Sequence, residues 1–219
     1  MAAREPKPRW SGWTKFIGLM MAGGITGYVA ATFGMTLLDE GGVLSSLRGA
    51  ELAFGTALLY LLMGAMVGFG TLAPRAGAAI LNVEDADEIV EEKASMAASA
   101  VGCILMAVII GVVAVGSPEV GIIAPAVAGI AALALSVAAA IPSWQIWKNA
   151  DELMRDVMRD AGATSYYILF GILGVWTGAA QLGFIAGPKP LDIFAMLFAA
   201  PLLAAFLAVG RRGMMRPRG

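Results

Sequence analysis

The densest run of titratable groups in the chain is "LNVEDADEIVEEKASM", residues 81–96. Within it Glu84, Asp85, Asp87, Glu88, Glu91 and Glu92 place six carboxylates in nine positions. Carboxylates at helical spacing can meet a hard cation, and Glu84, Glu88 and Glu91 share one helical face. A calcium loop also needs a glycine turn and alternating ligands, and this stretch has neither. The same acids suit a basic partner, with Glu84, Asp85, Glu88 and Glu91 as the docking residues. The leading reading is simpler: a solvated helical face. Asn82 is a good N-cap, and Glu84 and Asp85 fall in the first turn, where the helix dipole favours negative charge. Val83, Ala86, Val90, Ala94 and Ala97 then recur every three or four residues, as an amphipathic helix running straight into the apolar segment that follows.

Other chemistry is restricted by what the chain lacks. It has no His and a single Cys, Cys103. A disulfide within the chain is therefore impossible. Zinc, haem and iron–sulfur sites, which draw on His or several Cys ligands, are not expected, nor is catalysis by a His base. No phosphate loop, dinucleotide fingerprint or zincin motif is present. The formal net charge of −1 gives no field for nucleic acid. The expectation is a protein without catalytic, metal or cofactor residues. Among the neutral polar side chains, Gln181, Tyr60 and Thr177 are the candidates for an interhelical bond or a polar cavity. Gln181 has an amide that wants four hydrogen-bond partners.

The elements that must position these residues follow from composition. Of 219 residues, 59% are hydrophobic and only 14% are charged, about half the charge of a typical soluble domain. A helix needs roughly 20 apolar residues to cross a bilayer core of about 30 Å. Six segments qualify: 16–38, 52–73, 94–115, 120–141, 166–185 and 191–210. The first is too long for a signal-peptide core and reads as a retained helix. Residues 116–119 are the whole connection between the third and fourth, which makes them a tight helical hairpin. The fold class expected is an all-α bundle of six transmembrane helices in one domain, residues 1–219, with cytoplasmic amphipathic extensions near 82–93 and 149–161. The second extension has Asn149 as candidate cap, Asp151 and Glu152 in its first turn, and an Asp151–Arg155 pair in the favourable order.

Orientation follows from Lys and Arg. Thirteen of the fifteen lie on one side of the expected bundle, and only Arg48 and Lys189 on the other. This bias puts both termini in the cytoplasm of a bacterial inner membrane. Trp10, Trp13, Trp144, Trp147, Tyr166 and Tyr167 fall at the cytoplasmic interfaces, where amphipathic rings collect.

Leu packs no better on Leu than on lipid, so the spans must associate through small residues. Stripes at helical spacing serve this in every span, among them Gly23 with Gly27, Gly64 with Gly68, and Gly174 with Gly178. They mark packing within one bundle, or a homodimer. Pro201 should kink the last span. A spacing of 67 residues superposes the two extensions and their spans, Asn82 on Asn149 and Gly116 on Gly183. The partners expected are the lipid bilayer and a homo-oligomer or membrane complex. The function expected is non-enzymatic packing or interaction, and the alternative is a small channel or carrier for a neutral or weakly polar solute.

Reporter fusions test the topology directly. Fusions at Lys7, Glu92, Asp156 and Arg216 should read cytoplasmic, and those at Gly42, Ser117 and Lys189 periplasmic. A periplasmic signal at Glu92 breaks the six-span arrangement.

Overall fold

Apolar chain in lipid has one economical way to satisfy its backbone: every N–H must bond within its own helix. The computed structural model describes residues 48–80 and 86–214 of the chain, and all regular structure there is helical. Seven helices result: α1 (Arg48–Leu72), α2 (Pro74–Ile80), α3 (Ala86–Glu91), α4 (Lys93–Val115), α5 (Pro125–Asn149), α6 (Glu152–Gln181) and α7 (Pro190–Arg211). Five of them, α1, α4, α5, α6 and α7, are long and apolar enough to cross a membrane. They account for the second to sixth expected spans. The first, 16–38, lies outside the described residues.

Antiparallel α1 and α4 are the central pair of the five long helices. α5 packs chiefly on α4, α7 lies parallel to α1 and also meets α4 in the core, and α6 packs chiefly on α7. The buried residues of α1 recur at helical spacing: Ala50, Ala53, Thr56, Gly64 and Thr71. Ala50 and Ala53 join Ile110 and Ala114 of α4 and Leu191 and Ala195 of α7 in the central core cluster. Most of these side chains are small, so the helix backbones come close. Gly64 is where α1 and α4 come into close contact. A Cβ there would lie 2.8 Å from Ile104 Cγ1 and 2.9 Å from the Ala100 carbonyl oxygen. The stripe of Thr56, Tyr60, Gly64 and Gly68 is thus a packing face, as its spacing indicated.

The second close approach makes the α4–α5 hairpin. A Cβ on Gly116 would overlap Ala128 Cβ at 2.1 Å, so only glycine lets α5 fold back here. The connection is longer than the expected residues 116–119. After α4 the chain turns through residues 117–124 before Pro125 opens α5, and Pro is suited to a first helical turn. α5 accordingly runs on to Asn149 and carries Pro142 inside it. That ring removes the donor for the Ala138 carbonyl. The Ser143 hydroxyl donates to the neighbouring Ala139 carbonyl at 2.8 Å. Pro201 in α7 likewise leaves the Leu197 carbonyl without its helical donor, and Tyr60 Oη of α1 donates to the next carbonyl, that of Phe198, at 3.1 Å.

Several expectations need correction. The acidic helix does not run straight into its span: α3 ends at Glu91, and Glu92 breaks the helix before α4 begins at Lys93. The break changes the register, so Ile89 is fully buried while Val90 and Ala94 are exposed. The second extension is continuous with its span, as the 30-residue α6, but its cap is Asp151. The Asp151 carboxylate accepts from the Met154 N–H at 2.7 Å, and so caps the helix where a pair with Arg155 was expected. Asn149 is instead the last residue of α5. A further short helix, α2, was not anticipated. It turns back at Pro74 so sharply that a Cβ on Gly77 would sit 2.6 Å from Gly70 Cα. The Gly174 stripe differs from that of Gly64, because side chains built at Gly171, Gly174 or Gly178 would meet nothing within 4 Å.

These contrasts predict two different outcomes for one kind of substitution. Gly64→Leu should lower bundle stability in detergent by about 2 kcal/mol or more, because helix backbones must separate. Gly174→Leu should change it by less than about 0.5 kcal/mol. Thermal melts of the two variants beside the parent decide this, and equal melts for both would show the packing face of α1 to be misassigned.

Candidate functional site

The polar residues singled out from the sequence do not converge. Tyr60, half-buried on α1, is spent on α7 through the bond to Phe198. Thr177 is exposed on α6 and donates to its own helix, at the Leu173 carbonyl 2.5 Å away. Gln181 is exposed at the last turn of the same helix. Thr56, Ser99 and Ser136 likewise bond carbonyls four residues back, an option that needs no partner helix. Of the acidic docking residues, Glu84 and Asp85 lie outside the described residues, Glu88 belongs to α3, and Glu91 is exposed at its end. Among the described residues no three His, Cys, Asp or Glu side chains are grouped to hold a metal ion.

The structure draws attention to a different place, the end of the bundle that is poor in Lys and Arg. There the α4–α5 connection meets the start of α7. A cavity of about 450 Å³ lies between them, walled by Val113, Gly116, Pro125, Ala128, Leu191 and Phe194 and edged by Ser117 and Glu119. Each wall has a local cause. Gly116 admits α5 next to α4, Pro125 and Pro190 start their helices, and Leu191 is anchored in the central core cluster.

Two elements are tied across this cavity. Lys189 Nζ lies 3.1 Å from Glu119 Oε1, joining the α4–α5 connection to the N-terminus of α7. Lys189 is also the N-cap of α7, and its backbone N–H donates to Asp192 Oδ2 at 2.7 Å. This is the acidic half of a capping box, and it leaves Asp192 buried but satisfied. Glu119 is less well served. Its side chain is only 20% exposed, and its Oε2 has no hydrogen-bond partner among the described residues. Ser117 Oγ, two residues away, is buried without a partner as well. Buried polar atoms of this kind are few in folded proteins, and each carries a cost. Sequence reading missed the pair because Glu119 looked like an ordinary loop acid. The available signal was that the side of the bundle with almost no cations holds both Lys189 and Glu119.

The opposite end has its own tie. Arg212, just past α7, pairs with Asp160 and donates to the Leu153 carbonyl of α6 at 3.4 Å. Arg155 stacks over Trp147 at 5.8 Å, linking the start of α6 to the end of α5. α7 stops in a Schellman turn, with Gly213 at φ +71°. α6 stops in the same way at Gly183, φ +78°, and Trp176 Nε1 then holds the following loop through the Ala186 carbonyl at 2.9 Å.

No family model, no curated protein and no solved structure matches this chain.

The burial of Glu119 sets the expected cost of losing its partner. Lys189→Met leaves a mostly buried carboxylate without a cation, and should cost about 1–3 kcal/mol, more than the 0–1 kcal/mol of a surface pair. Adding Glu119→Gln to that variant should recover much of the loss. Melting curves of the single and double variants test this, and a double variant less stable than the single one counts against a buried pair.

Proposed function

We propose that this chain is a six-span protein of a bacterial inner membrane, with both termini cytoplasmic, that acts without catalysis by packing against itself or within a larger membrane complex. The observation that carries this reading is the outer face of α6. A Cβ on Gly171, Gly174 or Gly178 would meet no neighbouring element within 4 Å among the described residues, and α6 is the least buried of the five long helices. Small residues at helical spacing are how membrane helices admit a neighbour, so this face suits another helix better than it suits lipid. The local use of polar groups supports the same reading. A carrier needs hydrogen-bonding groups turned to a shared path, and Tyr60 and Thr177 are instead committed to backbone carbonyls.

Light scattering of the full chain in mild detergent tests the proposal. The expected protein mass is a multiple of 22.6 kDa, or that of a complex with a co-purifying membrane protein. Gly174→Leu should reduce it toward the monomer without lowering the melting temperature of the bundle. A parent chain that runs as a monomer, alone, contradicts the proposal.

A further inference from the structure

The cavity at the Lys/Arg-poor end has the dimensions and lining of a binding site. About 450 Å³ falls within the usual range for small-molecule pockets, and a mostly apolar wall with a few polar groups at one edge is their usual chemistry. The polar edge is specific in what it lacks. Glu119 Oε2 can only accept a hydrogen bond, and among the described residues no donor reaches it and Ser117 Oγ has no partner. Glu119 Oε1 is already held by Lys189, whose ammonium has further donors to offer. The nearby Asp192 carboxylate is occupied by the Lys189 N–H.

We propose that this cavity binds the head of a zwitterionic amphiphile that carries a primary ammonium and a phosphate, as phosphoethanolamine compounds do. The ammonium donates to Glu119 Oε2 and Ser117 Oγ, and the phosphate faces Lys189 Nζ. The charge balance selects this class. The mostly buried Glu119 is already neutralised by the half-exposed Lys189, so a guest with net charge of either sign would unbalance the pair. A zwitterion adds no net charge and supplies the missing donors. Val113, Leu191 and Phe194 receive the apolar part next to the head. Both unpartnered oxygens are closed to solvent, so the guest enters with a side-chain rotation of Ser117 and Glu119 into the cavity they line. A trimethylated ammonium has the same charge and no N–H, and is the natural discriminator.

The test reconstitutes the full chain in bilayer discs holding phosphatidylethanolamine and phosphatidylcholine in equal amounts with matched acyl chains, and measures by native mass spectrometry which lipid stays bound. Ethanolamine lipid should be enriched about tenfold, the worth of one hydrogen bond to a charged group. Glu119→Gln and Ser117→Ala should each reduce the enrichment. Soluble glycerophosphoethanolamine is then added. If it displaces the lipid, the head alone is recognised and a free zwitterion is an eligible source; if it does not, the site takes a membrane lipid, and either result upholds the zwitterion. Equal retention of the two lipids by the unaltered chain overturns the proposal, whatever the variants do. Undiminished enrichment in a folded Glu119→Gln chain overturns it too.

Discussion

The contact between α1 and α4 at Gly64 is the constraint on which the rest of the bundle depends. In lipid there is little to gain from exchanging one apolar neighbour for another, so helices adhere where backbones can come close. Gly64 removes the side chain that would otherwise meet Ile104 and the Ala100 carbonyl. With α1 and α4 joined, each has a second side. α5 folds onto α4 because Gly116 has no Cβ to strike Ala128, and α7 lies along α1 through Leu191 and Ala195. α6 packs chiefly on α7 and is the least buried of the long helices.

Backbone hydrogen bonding is the second constraint, and it explains where the polar side chains went. Proline breaks the helical ladder in α5 and in α7, and in each case a hydroxyl bonds the carbonyl beside the break. Ser143 does so from the same helix, Tyr60 from across the interface. Tyr60 therefore ties α7 to α1. Two ion pairs act at the ends of the bundle: Lys189 with Glu119 at one, Arg212 with Asp160 at the other. Each joins segments that the chain itself does not connect directly.

Most of this architecture was legible in the sequence for physical reasons that can be named. Runs of twenty apolar residues have few alternatives to helix, so the long helices of the described chain fall where hydropathy placed them. Gly64 was readable because another glycine, Gly68, follows it at four-residue spacing. Gly174 has the same pattern and meets no described side chain, since spacing defines a face but not its partner. The break at Glu92 was hidden because its charge pattern continues smoothly through it, and burial moved from Val90 to Ile89 as a result. Asn149 and Asp151 are both good caps, and only the end of α5 decides between them. The cavity was not legible at all. Its walls come from the α4–α5 hairpin and from α7, some sixty residues further along the chain, and its polar residues, Ser117 and Glu119, are unremarkable one at a time.

The α1–α4 contact is open to one direct measurement. A side chain at Gly68 would place its Cβ 3.6 Å from that of Ala100, within the range of a disulfide. In a chain with Cys103→Ala, the double substitution Gly68→Cys and Ala100→Cys should lose both free thiols when membranes are oxidised, and regain them on reduction. The single variants should keep theirs. If both thiols of the double variant stay free to label after oxidation in folded protein, α1 and α4 are not in contact along this face, and the account built on Gly64 fails.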